Sequence, residues 1–264
     1  MGMVIVFFAV SILSSIAGSI CGIGGGVIIK PVLDATGIMS VSAISFLSGC
    51  TVLAMSVVSV YKNVRSKAAK LDLRIATGLA VGAAAGGVIG KTMFQSLKAA
   101  VGNEAVVGMT QAIVLIAVTL GTLIYTVFKH RIRTKTYTQI WLCVVIGILL
   151  GVMSSFLGIG GGPINLVVLA YFFSTSTKEA ALSSLYIIMF SQITSLIQTC
   201  ATGSVPKVSA AYLAAMVVGG ILGGTLGSKV NKKISEEGVN KLFIALMAVI
   251  IGINIYNAVK FGMA

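Results

Sequence analysis

Charged side chains are rare in this chain, and their scarcity decides its class. They make up 9% of the 264 residues, whereas a soluble domain carries about 25%. Hydrophobic residues reach 57%, and the mean hydropathy is +1.07. A soluble enzyme or binding module needs a polar surface that this composition does not supply. We therefore expect an all-α protein that crosses the cytoplasmic membrane several times, with the lipid bilayer as a partner.

Acidic residues, histidine and paired cysteines are also few, which argues against an enzyme or a metal protein. The chain has six acidic residues and one histidine, His130, which lies in a basic loop. Its four cysteines lie in apolar stretches without C-x-x-C spacing, so packing as small hydrophobic residues is their simplest role. For Cys21, beside a glycine run, contact with a substrate is the alternative. We expect no catalytic residue, no metal and no cofactor.

The net charge of +13 does not indicate a nucleic acid partner. The basic residues fall mainly in short loops between apolar segments, where lysine and arginine mark the cytoplasmic side of a membrane protein. Residues 85–92 fit a permissive phosphate-loop pattern, but that mechanism needs a strand and a tight loop before the helix. Here the residues run through one apolar segment, so we do not expect nucleotide binding.

Glycine is abundant at 31 residues, and one run of it occurs twice. The run Gly-Ile-Gly-Gly-Gly fills Gly22–Gly26 and again Gly158–Gly162, which start 136 positions apart (158 minus 22). Glycine clusters interrupt helices, and interrupted backbone is tolerated in lipid only where protein buries it or where it lines a cavity. Paired interruptions in two halves of a membrane protein point to a transport site.

The repeat extends beyond these runs. Two G-x-x-x-G-x-x-x-G patterns predict helix-packing faces, and they comprise Gly82, Gly86 and Gly90, and Gly219, Gly223 and Gly227. We therefore divide the chain into a first repeat at 1–128, a basic cytoplasmic linker at 129–136 and a second repeat at 137–264, which together form one transmembrane domain. The sequence leaves a homodimer open as the oligomeric state.

The loop charges predict that the two repeats have inverted topology. The loop 62–74 is strongly basic, whereas its partner 199–208 contains only Lys207. Conversely, 229–238 is basic, and its partner 96–104 has only Lys98 against Glu104. Because the basic loops mark the cytoplasmic side, this swap requires an odd number of crossings in each half and places both termini outside. Either five spans, or three spans plus a re-entrant helix pair at the glycine run, satisfies this parity.

A helix that starts after a glycine run offers unpaired N–H groups and the positive end of its dipole, which together make an anion site. Pro163 directly follows the second run and predicts a helix start there. In the first half Pro31 comes later, so we expect Lys30 in unwound backbone and the helix start at 31. For Lys30 we consider contact with substrate, pairing with Asp34 and snorkelling to the interface.

The predicted substrate site combines the two runs with nearby polar residues. Its members are Gly22, Gly24, Gly25, Gly26, Lys30, Gly158, Gly160, Gly161, Gly162, Pro163, Ser19, Ser155 and Asn165. Weaker candidates are further serines that include Ser45, Ser48 and Ser184. Hydroxyl and amide groups suit recognition of an oxyanion by hydrogen bonds.

These features resemble the TauE/SafE family of sulfite and organosulfonate exporters. The resemblance rests on Gly22–Gly26 followed by Pro31, and on Gly158–Gly162 followed by Pro163, and it covers the whole chain. It implies a carrier that exports small sulfur-containing anions across the cytoplasmic membrane. Lys30 departs from the family pattern, in which an aliphatic residue is usual. A lysine at this position favours an anionic substrate in general and does not single out sulfite.

The membrane potential, negative inside, drives anions outward by about 2.3 kcal/mol per charge per 100 mV, so export needs no coupling ion. Of the six acidic residues, only Asp34 and Glu179 are candidates to enter a transport path, which leaves few members for a proton relay. The alternatives are an ion-coupled importer of a small anion or other solute and, from another class, an anion channel or a membrane scaffold that transports nothing.

Overall fold

The computed structural model describes residues 2–66, 69 and 71–263, apart from the side chain of His130, and this part of the chain contains helices and no strands. Part of the basic loop 62–74, including Lys67 and Lys70, lies outside the described residues, as do the terminal residues 1 and 264. The helices are α1 Gly2–Cys21, α2 Gly26–Thr36, α3 Val41–Ser66, α4 Leu73–Val101, α5 Glu104–Phe128, α6 Ile140–Leu157, α7 Pro163–Phe173, α8 Thr177–Ala201, α9 Ala210–Lys233 and α10 Glu236–Gly262. A single 3₁₀ turn, Lys129–Arg131, begins the linker.

Side-chain caps fix several helix starts at the loops. Asp72 accepts hydrogen bonds from the backbone N–H groups at the start of α4, and Ser176 forms a capping box with Glu179 at the start of α8. The first repeat uses left-handed glycines to end α2 and α4, at Gly37 and Gly102. Such caps satisfy backbone groups that a helix end leaves unpaired, so the boundaries follow from local sequence.

Within the described residues, eight helices are long and apolar enough to cross a membrane, and these are α1, α3, α4, α5, α6, α8, α9 and α10. The remaining two, α2 and α7, have 11 residues each. At 1.5 Å per residue such a helix covers only about half of a bilayer core. The all-helical, multi-pass architecture therefore matches the prediction from composition.

Each glycine run joins two antiparallel helices. Leu33, near the end of α2, packs in the same cluster as Phe7, near the start of α1. In the second half, Tyr137, which shortly precedes α6, donates its backbone N–H to the carbonyl of Phe172 at the end of α7, with an N···O distance of 3.0 Å. The short helices thus return toward the ends at which α1 and α6 begin, which favours the re-entrant pair over five full spans.

The two glycine-rich faces pack against the first long helix of the opposite half. A side chain on α4 at any of three glycines would collide with the main chain of α6; these are Gly82 at Val144, Gly86 at Ile148 and Gly90 at Val152. On α9, Gly219, Gly223 and Gly227 approach α1 in the same way, at Phe8, Ile12 and Ile16. The contacted residues of α6 and α1 are themselves 136 positions apart, so equivalent helices make equivalent contacts.

Candidate functional site

The two glycine runs meet in the core of the protein. A Cβ atom at Gly26 would collide with the carbonyl oxygen of Ile159, and one at Gly24 would lie 3.6 Å from the carbonyl oxygen of Gly160. Ile23 and Ile159, inside the two runs, are both almost fully buried. Helices α3 and α8 enclose this contact, because Val52 and Ile188 pack against Gly160 and Gly24 respectively. The sequence motif therefore marks one central place.

Backbone geometry explains why the runs are made of glycine. Positive φ angles occur at Gly22 and Gly24 in the first run, at 76° each, and at Gly158, Gly160 and Gly161 in the second, at 66°, 76° and 114°. Residues with a Cβ rarely adopt these angles. Each run therefore reverses the chain within a few residues and brings a helix start into the core.

The reversals leave backbone donors without partners. Within the described residues, no acceptor pairs with the N–H groups of Gly24–Gly26 or of Gly160–Gly162. The first N–H to bond inside the two short helices belongs to Ile28 in α2 and to Asn165 in α7, which donate to Gly25 and Gly162. Unpaired buried N–H groups cost free energy unless a ligand or water accepts from them.

Four buried side chains beside the runs also have polar oxygens without partners. A Cβ atom at Gly25 would lie 3.2 Å from the hydroxyl of Ser15, one at Gly26 would lie 2.9 Å from that of Ser48, and one at Gly158 would lie 2.7 Å from that of Ser45. Asn165 donates from its amide nitrogen to Ser184, but its Oδ1 has no hydrogen bond. The three serine hydroxyls are likewise unpaired. Donors and hydroxyls therefore converge on the place where the two runs meet.

The hydroxyls of Ser19 and Ser155, two of the predicted site residues, lie beside serines of other helices. The hydroxyl of Ser19 lies 2.9 Å from that of Ser59 and 3.2 Å from that of Ser228, inside a contact of α1 with α3 and α9. The hydroxyl of Ser155 lies 3.5 Å from that of Ser191 on α8. Each of these two hydroxyls thus links its own helix to another helix. Ser15, which was not among the predicted site residues, is the serine of α1 that lies beside Gly25.

Two predictions about the short helices had different outcomes. Helix α7 begins at Pro163, as predicted. Helix α2 begins at Gly26 and contains Pro31, so the predicted start at 31 and the unwound backbone at Lys30 are wrong. The reason is that proline disfavours a helical preceding residue without forbidding it, and the carbonyl of Pro31 gains a hydrogen bond from Asn257 of α10, at 2.8 Å.

Lys30 forms a buried ion pair one turn along the same helix. Its Nζ lies 2.6 Å from Oδ2 of Asp34, and the side chains are 3% and 7% exposed. Of the three hypotheses for Lys30, pairing with Asp34 is therefore confirmed and snorkelling to an interface is wrong. Contact with substrate stays a prediction. The pair faces α5 and α10, whose residues Gln111 and Asn254 line the same small cavity.

The fold and this central site define a multi-pass helical membrane protein that is built around two interrupted helix pairs. The family model described as sulfite exporter TauE/SafE matches residues 7–255, which is nearly the whole chain. The chain therefore belongs to the TauE/SafE family, whose members are membrane transporters of the sulfite exporter type. Neither a curated protein nor a solved structure matched the chain.

Proposed function

We propose that this protein is a secondary transporter that exports a small sulfur-containing anion, such as sulfite, sulfoacetate or a related sulfonate. In this proposal the anion binds between the starts of α2 and α7 and reaches the two membrane faces by alternating access. The observation that carries the proposal is the meeting of the two glycine runs, with unpaired N–H groups on both sides.

The chemistry of the site favours an oxyanion. Its backbone groups are N–H donors at two helix starts, where the helix dipole adds partial positive charge. The hydroxyls of Ser15, Ser45 and Ser48 add further donors. A sulfite or sulfonate group has three oxygens that accept several hydrogen bonds at once. Neutral donors bind such a group without the strong attraction that a lysine would add, and release is correspondingly easier.

We further propose that the two repeats are inverted, as their loop charges predict. The contacts of the helices support this. Helix α10 begins beside the linker, where Asn240 accepts from Lys129, and ends beside Ala35 at the end of α2, where Lys260 donates. The α1–α2 pair therefore starts at one end of the bundle and the α6–α7 pair at the linker end. With the linker in the cytoplasm, both termini lie outside.

Flux into and out of vesicles tests the proposed function. In proteoliposomes of the purified chain, we expect saturable sulfoacetate efflux that speeds up when the vesicle interior is made negative, because the anion carries charge outward. Empty liposomes with the same imposed potential are the control. Flux that requires a Na⁺ or H⁺ gradient would instead indicate a coupled importer. Flux that does not saturate would indicate a channel, and no flux with any small anion would contradict transport.

A pair of serine variants tests where the anion binds. Ser48→Ala removes a hydroxyl without a partner, so we expect unchanged thermal stability and anion affinity lower by about tenfold, the value of one hydrogen bond to a charged group. Ser19→Ala is the matched control, because its hydroxyl is paired in a helix interface. We expect that variant to lose stability and to keep its affinity. Measured affinities that fall for Ser19→Ala and not for Ser48→Ala would contradict this site.

A further inference from the structure

Two cavities lie beside the short helices, and they differ greatly in size. The first, which we call the linker-side chamber, has a volume of about 300 Å³. It opens beside the linker residue Lys129 and reaches inward to Cys21 and Leu166. The second, the closed chamber, has a volume of only about 10 Å³ and lies between α2, α5 and α10. A space of that size holds about one water molecule.

The two chambers are the same cavity in the two repeats. Four residues of the closed chamber have repeat equivalents, 136 positions away, that line the linker-side chamber. The four pairs are Leu157 with Cys21, Lys30 with Leu166, Pro31 with Val167 and Asp34 with Ala170. One protein thus holds one repeat cavity in an open form and its equivalent in a collapsed form.

Specific bonds hold the closed chamber shut. Asn257 and Lys260 of α10 donate to the carbonyls of Pro31 and Ala35, at 2.8 and 2.9 Å. Gln111 of α5 donates to the carbonyl of Phe156, at 2.6 Å, beside the second glycine run. These contacts tie α2 to α10 and α5 to the end of α6. Moving α2 away from α10 would open the chamber toward the end of the bundle opposite the linker.

The chambers also differ in charge. The closed chamber contains the Lys30–Asp34 pair where the linker-side chamber has Leu166 and Ala170. The pair is incompletely satisfied, since Oδ1 of Asp34 and Oε1 of Gln111 have no hydrogen bond. An ammonium group has three N–H donors, and within the described residues Lys30 uses one of them, toward Asp34. The collapsed cavity thus contains a buried ammonium group whose remaining N–H donors are available to a ligand.

We propose that the closed chamber is the access route on the side opposite the linker, and that Lys30 is a second anion-binding site within it. When α2 leaves α10, the anion replaces Asp34 as the partner of the Lys30 ammonium, and the Asp34 carboxylate turns to water in the opened chamber. When the anion departs, the pair re-forms and the chamber closes. This inference rests on the proposed transport function and gives its route two unequal halves, of which only one has a charged pair on its short helix.

Labelling of single cysteines tests the inference. In a chain whose four native cysteines are replaced, Ala112→Cys places a thiol in the closed chamber and Ala170→Cys places one in the linker-side chamber. Membrane-impermeant methanethiosulfonates with a sulfonate or a trimethylammonium group are added to vesicles of either orientation. We expect the thiol at position 170 to react from the linker face, and the thiol at 112 to react only from the opposite face and faster during sulfoacetate transport.

The charge of the reagent tests the role of Lys30. After correction for rates with a free thiol, we expect the anionic reagent to react at position 112 about tenfold faster than the cationic one. The added double change Lys30→Leu and Asp34→Ala copies Leu166 and Ala170, and it should abolish this preference. A preference that persists overturns the Lys30 site. A thiol at 112 that reacts from the linker face, or from neither face, overturns the paired chambers. Flux of the unmodified chain is measured separately, so loss of the proposed function is distinguishable from either result.

Discussion

Gly26→Ala is expected to reduce anion flux to the background of empty vesicles. The new methyl group would collide with the carbonyl oxygen of Ile159 and would lie 2.9 Å from the hydroxyl of Ser48. Because the obstacle is the main chain of the opposite run, no side-chain rotation relieves the collision, and the two helix starts must separate. Overpacking of this kind costs about 1–3 kcal/mol, and it displaces the donors that the anion needs.

The helix propensity of alanine distinguishes two causes of a loss of flux, a collision between the runs and a weaker helix. Gly26 is the first residue of α2 and has a helical φ, so alanine by itself would favour the helix by up to about 1 kcal/mol. A loss of flux therefore reports the contact between the runs and not a weaker helix. Gly121→Ala on α5 is the matched control, because nothing lies within 4 Å of its Cβ position. Flux is measured in proteoliposomes beside thermal unfolding in detergent. Wild-type flux with Gly26→Ala would contradict the central site.

The architecture was predictable from sequence because it depends on composition and on glycine. Lipid requires helices, so a mean hydropathy of +1.07 already selects the fold class. Inside a membrane protein, glycine allows close helix packing or a chain reversal. The spacing of the glycines in the sequence distinguishes these two uses. The four-residue spacing at Gly82, Gly86 and Gly90 gave a packing face, and the run at Gly22–Gly26 gave a reversal.

The contacts that individual side chains make were not predictable in the same way. Ser15 and Ser19 are both polar residues of α1 near the run, and they differ only by one turn of helix. Because residues four apart share a helix face, both serines contact the glycines of α9, Ser15 at Gly223 and Ser19 at Gly227, and they differ in their level along α1. The returning chain places Gly25 beside Ser15, and the sequence of α1 does not contain the level at which that contact falls.

The start of α2 depended on a competition that sequence cannot weigh. Local preference moves Lys30 out of the helix because Pro31 follows it. One local and one tertiary contact oppose this, because a helical Lys30 reaches Asp34 four residues later and a helical Pro31 offers its carbonyl to Asn257. A helix with an internal proline loses one backbone bond. The buried contacts outweigh that loss here, and the partner Asn257 lies 226 residues away in the chain.

The charged pair itself gives the second prediction with a large effect. Lys30→Leu leaves Asp34 buried without its cation, and breaking a buried pair in this way destabilises a protein by about 3–5 kcal/mol. We expect a clear fall in the temperature of unfolding in detergent micelles. The double variant Lys30→Leu with Asp34→Ala is expected to recover most of that loss, because replacing a whole buried pair by apolar residues is often neutral.

Comparison of these two variants separates stability from transport. The double variant carries the residues that the second repeat already uses at the equivalent positions, Leu166 and Ala170, which line the linker-side chamber. If Lys30 only stabilised the fold, the double variant would both unfold and transport like the wild type. If Lys30 binds the anion in the closed chamber, the double variant unfolds like the wild type but transports with weaker apparent affinity for sulfoacetate. Equal instability of the single and double variants would show that packing, and not charge, holds the closed chamber.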